Sequence, residues 1–137
     1  MIHHHRNSLR LTAVAFIGAS AVALSTTSAF AKSDAELTVS GHHAHVGDTV
    51  AVKAAGGNDD GQPTSLCAQE RQGTTGAWHT LACTPVTVDP TPHLRLRVRA
   101  VHPGTMQFRA LLSETDAKTH RPRLLSRSST EGVSVTR

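Results

Sequence analysis

The stretch "HHAH" places His42, His43 and His45 within four consecutive positions. Neutral imidazole is a good ligand for Zn²⁺ or Cu²⁺. In an extended segment His43 and His45 share a face and His42 points away. Two ligands then converge, and a third has to come from elsewhere, with Asp48 a near candidate. Three readings fit: a secreted metal-binding site for Zn or Cu, a pH-responsive patch, or a solvated loop. The sequence implies no other cofactor.

A second constellation is basic. In "HLRLRVRA", Arg95, Arg97 and Arg99 recur at every second position. On a strand that spacing is about 6.6 Å, close to the charge repeat of some phosphate- or sulfate-bearing chains. Such a ladder suits an unknown protein partner or an anionic cell-surface polymer. It also suits a solvent face whose like charges discourage edge-to-edge pairing. Nucleic acid is not an expected partner, because the net charge is small and no aromatic stacking platform is present.

The remaining chemistry is notable for what it lacks. No G-x-S-x-G nucleophile turn occurs, and His79 and Asp89 have no serine placed beside them by any motif. No carboxylate pair stands out for glycoside cleavage, and no Gly-rich loop opens a helix. Trp78 is the one aromatic that could stack on a sugar, which disfavours carbohydrate binding by stacking. The expectation is a protein that is not an enzyme.

Compartment follows from the first thirty residues. "MIHHHRNSLR" carries Arg6 and Arg10 and no acid, Leu11 to Leu24 carry no charge, and Ala29-Phe30-Ala31 is an A-x-A triplet. A basic start, a short apolar run and small residues at −3 and −1 predict a secretory signal peptide over 1–31. The apolar run spans about 21 Å as a helix, short of the roughly 30 Å hydrocarbon core. No stable membrane insertion is expected after cleavage. The mature part, 32–137, has the size of one domain. It keeps 12 basic residues against 10 acidic ones, one Phe, one Trp, and neither Tyr nor Ile. Abundant Ala, Thr, Arg and Val with few Lys match GC-rich bacterial codon usage. The core must therefore be Val, Leu and Ala around Phe108 and Trp78. Such small side chains bury little area each at about 25 cal/mol per Å², so a staple would help. Cys67 and Cys83, the only cysteines, would meet an oxidising compartment and pair there.

The elements that must carry these residues are strands. No stretch holds a long 3.6-residue period, whereas period 2 recurs. Leu37 and Val39 alternate with polar neighbours, as do Val50, Val52 and Ala54. Leu94, Leu96, Val98 and Ala100 form one face of the arginine strand; Met106, Phe108, Ala110 and Leu112 share a side of the next. Val133 and Val135 end the pattern. Turn residues separate the runs at 56–63, 72–77, 89–92 and 102–104. The cysteines fit a hairpin with Cys67 opposite Cys83 at a non-hydrogen-bonded position, Gln69 opposite Leu81 and Arg71 opposite His79. Trp78 has the wrong parity for Leu81, so a bulge or another register is open. Residues 113–130 read as a long, mobile connection. Six to eight short strands in about 100 residues predict an all-β, antiparallel β-sandwich.

Three stretches resemble one family. "VGDTVAVKA" (46–54) resembles its G-x-T-V second strand, "GAWHTLA" (76–82) the segment after its central hairpin, and "PGTMQFRALLS" (103–113) its penultimate strand. The chain is thus similar to bacterial immunoglobulin-like domains of exported proteins, over nearly all of 36–137. Met106 and Phe108 stand where that family usually has aromatics, and Met106 cannot make a tyrosine corner. The resemblance implies about seven strands after a cleavable signal peptide, and a small secreted, non-catalytic module with a binding or spacer role at the cell surface or outside the cell. Two alternatives remain open: a secreted metal-binding protein using His42, His43 and His45, and a small secreted enzyme inhibitor presenting the loop at Gly73–Ala77.

Overall fold

The computed structural model of the protein describes residues 33–137. The expected signal peptide over 1–31 and its expected cleavage after Ala31 lie outside the described residues. Among the described residues the chain is all-β, without helix. In order come β1 (Ser33–Val39), β2 (His43–His45), β3 (Thr49–Asn58), β4 (Thr64–Gln72), β5 (His79–Cys83), β6 (His93–Arg99), β7 (Gly104–Thr115), β8 (Pro122–Arg127) and β9 (Glu131–Thr136).

Two sheets form. A three-stranded sheet has the order β1-β3-β6, and a six-stranded sheet runs β2-β9-β7-β4-β5 with β8 also on β7. The expected purely antiparallel pairing needs correction, because β2 runs parallel to β9. The reason is local. After β1 the chain crosses from one sheet to the other at residues 40–42 and keeps its direction. There the carbonyl of His42 accepts from the Ser134 amide, and the Val46 amide donates to the Thr136 carbonyl. Nine strands also exceed the expected seven, partly because the crossing divides what would be one strand into β1 and β2.

The period-2 pattern places the core. Leu37, Val50, Val52 and Ala54 come from the three-stranded sheet; Leu66, Met106, Phe108, Ala110, Leu112, Val133 and Val135 come from the other, and all join one cluster. Leu94, Leu96 and Val98 pack against it half-buried, while Arg95, Arg97 and Arg99 face out. Phe108, Leu66, Met106 and Leu112 are the largest wholly buried side chains, each stabilising by about 1.5–3 kcal/mol relative to exposure. Trp78 does not share this core, contrary to expectation. It is half-buried before β5, against two arginines.

The Cys67–Cys83 disulfide joins β4 to β5 with the cysteines directly paired, Cα atoms 4.0 Å apart. The Thr84 amide donates to the Leu66 carbonyl, which makes the pair a non-hydrogen-bonded one. Beyond Ala68 the register shifts, so Gln69 faces Thr80 and Glu70 faces His79. The expected Gln69–Leu81 and Arg71–His79 pairs are therefore absent. Leu81 is the extra residue of a bulge and packs against the core.

Residues 113–130 are not the expected mobile connection. β7 continues to Thr115, and β8 returns along it. The turn between them is closed by Asp116, whose carboxylate accepts from the amides of Lys118 and Thr119 at 2.8 Å. Those donors hold the Asp116 carboxyl below its ordinary range. Between β8 and β9, buried Ser128 bridges the gap: its Oγ accepts from the Ala110 amide at 2.8 Å, and its own amide donates to the Ala110 carbonyl.

Candidate ligand-binding surfaces

The outer side of the three-stranded sheet carries the predicted basic ladder. Arg95 lies opposite Lys53, Arg97 opposite Ala51 and Arg99 opposite Thr49. β6 is an edge strand, so one flank of the ladder is open. The small Ala51 lets a shallow cleft form between Lys53, Arg95 and Arg97. Acids sit on the opposite edge strand, where Glu36 pairs with Ala55 and Asp34 with Gly57. Among the described residues none of the three arginines makes an ion pair.

The histidines are brought close but differently engaged. His42 Nδ1 donates to the Gly132 carbonyl at 2.9 Å. The His45 amide donates to Asp48 Oδ2 at 2.8 Å, and its Nδ1 lies 3.6 Å from the same oxygen. His43 is exposed on β2. Asp48 thus closes the β2–β3 turn, where Gly47 adopts a φ of 97° that only glycine takes readily. Among the described residues no three His, Cys, Asp or Glu side chains come together as a metal-holding group.

A third surface lay outside the sequence expectations. On the outer side of the six-stranded sheet, β4 and β7 pair so that Gln69 faces Arg109 and Arg71 faces Gln107. Arg71 Nε donates to Gln107 Oε1 at 2.7 Å, and Arg109 Nε donates to Gln69 Oε1 at 2.8 Å. Gln69 Nε2 in turn donates to Thr80 Oγ1 at 3.2 Å. Both guanidinium groups lie over the Trp78 ring, 4.5 Å from its centroid for Arg71 and 4.2 Å for Arg109. Such stacking contributes about 0.5–2 kcal/mol per pair. Burial, with Arg127 and Arg71 nearby, pulls the Arg109 guanidinium below its ordinary range. A signal was present: "QER" at 69–71 and "QFR" at 107–109 are two Q-x-R triplets, which antiparallel pairing turns into reciprocal Gln–Arg contacts.

Glu70 points the other way, opposite Phe108 and His79. Its Oε2 is buried without a hydrogen-bond partner. Burial pushes its carboxyl up from the ordinary value, with His79 pulling in the opposite direction.

No protein-family model matches the chain, and no curated protein matches it.

Proposed function

We propose that the mature chain, 32–137, is an exported, non-catalytic immunoglobulin-like β-sandwich module that binds an anionic cell-surface polymer through the arginines of β6. Strand order supports the architectural part. In their order across each sheet, β1, β3 and β6 match strands A, B and E of such domains, and β9, β7, β4 and β5 match G, F, C and C′. Residues 84–92 hold no named strand where a D strand would run. The Cys67–Cys83 bridge suits an oxidising compartment.

One observation carries the binding part. Arg95, Arg97 and Arg99 are exposed on an open edge strand, with Lys53 opposite Arg95 and, among the described residues, no carboxylate in an ion pair with them. Charges on an edge strand also discourage pairing with another chain, but that role sets no spacing along the strand. A run of three at strand spacing, left uncompensated, matches a repeating anion.

The test is retention of the secreted protein on immobilised anionic wall polymer. Wild type should be held at low salt, and the variant with Arg95, Arg97 and Arg99 changed to Gln should elute at clearly lower salt. Equal retention of both rules the ladder out. Mass spectrometry of the secreted material should show Lys32 as the first residue; an intact leader would refute export by cleavage.

A further inference from the structure

We infer that the outer face of the six-stranded sheet is a second anion-binding site, in which Arg71, Arg109 and Arg127 form a diagonal row that takes an extended chain bearing repeated oxyanions. The site is separate from the β6 ladder, and its test does not depend on that ladder.

The row follows from register. Arg71 on β4 faces Gln107, and Arg127 on β8 faces Leu111, with Arg109 midway along β7. Each step across a strand therefore moves two residues along β7. Diagonal neighbours of this kind sit roughly 7–8 Å apart and are within reach of long side chains. Three guanidinium groups then cover about 15 Å, far more than one phosphate or carboxylate occupies.

The charge on this face is uncompensated. The acids of these strands have the other parity: Glu70 and Glu131 lie opposite Phe108, and Glu114 lies opposite Thr64, both core positions. Glu114 is further engaged by Arg123. Among the described residues Arg71, Arg109 and Arg127 have no ion pair. Three like charges repel, and an arriving anion relieves that repulsion.

The groups are also held in place before any ligand arrives. The Nε atoms of Arg71 and Arg109 are committed to Gln107 and Gln69, and the indole supports both planes. The Nη ends, which suit bidentate oxyanion contacts, have no partner among the described residues. Fixing a guanidinium beforehand lowers the ordering cost of binding. A buttress for the β4–β5 loop would need only the Arg–Trp contacts. It gives no reason for Arg127, exposed on β8 away from that loop, to extend the row.

Trp78 makes the test direct, since it is the one tryptophan in the sequence and its fluorescence reads this face alone. Wild type is titrated with polyphosphate, dextran sulfate and polygalacturonate, with inorganic phosphate as monomer control. At least one polymer should give a saturable change, and the tightest identifies the charged group. Inorganic phosphate should bind far more weakly. Changing Arg95, Arg97 and Arg99 to Gln should leave the Trp78 titration as it is. Arg127→Gln, which touches neither the indole nor the core, should weaken it by about tenfold with the free spectrum unchanged. Arg109→Gln should weaken it further. The inference is overturned by no saturable change with any polymer, by equal affinity for inorganic phosphate, or by an Arg127→Gln titration that matches wild type.

Discussion

Replacing both Cys67 and Cys83 with Ala tests what holds this small-residue core together. The bridge closes 16 residues of sequence separation. In the chain-entropy description, opening a loop of that size costs roughly 3 kcal/mol, because the unfolded chain regains freedom. The folded state loses little locally, since Cys83 is exposed and Cys67 half-buried on the outer face. At about 2.1 cal/mol/K of unfolding entropy per residue, a domain of this length loses roughly 4–5 °C per kcal/mol. The variant should melt about 14 °C below wild type. Urea unfolding should give the same free-energy loss, with a steeper denaturant dependence because the uncrosslinked unfolded state exposes more surface. A loss under about 1 kcal/mol with an unchanged slope would refute the reasoning. It would mean that the β4–β5 hairpin is already closed in the unfolded ensemble.

Three further outcomes are expected. Ser128→Ala leaves the Ala110 amide without its acceptor in the gap between β8 and β9, and should cost about 1–3 kcal/mol in chemical denaturation. Leu66→Ala opens a cavity at a wholly buried position, and should cost about 2–5 kcal/mol in the same assay. Glu70 has a carboxyl pushed up by burial, so the folded state binds its proton more tightly than the unfolded state does. Its stabilisation is then full below the ordinary carboxylate range and is lost as pH rises through the folded value. Glu70→Gln should therefore raise the melting temperature at pH 7, with the gain vanishing near about pH 3–4; an equal gain at both pH values would contradict the sign.

Alternation made much of the fold legible. The inward sets on β3, β6, β7 and β9 are those that period 2 selects, because a strand with one buried face leaves its pattern in the sequence. The disulfide register was legible for the same reason. What could not be read depends on contacts distant in sequence. The parallel β2–β9 pairing joins residues some ninety positions apart. β8 was obscured by "RPRLLSR", whose register slips between Leu112 and Ser113 and breaks the alternation. Trp78 looked like core on hydrophobicity alone. Its place was decided by Arg71 and Arg109, which arrive from β4 and β7, and only pairing the two Q-x-R triplets would have shown it. The β6 arginines were visible because their spacing is local.

The most direct measurement is the salt dependence of polymer binding by wild type and by the variant with Arg95, Arg97 and Arg99 changed to Gln. Affinity for the anionic wall polymer, measured by calorimetric titration from low to high NaCl, should fall linearly on a log–log plot. Each arginine that displaces a counterion contributes about 0.7–0.9 to the slope. The variant's slope should therefore be shallower by roughly 2–3, with weaker binding throughout. Identical slopes and affinities for the two proteins would contradict the proposal that β6 is the surface that meets the polymer.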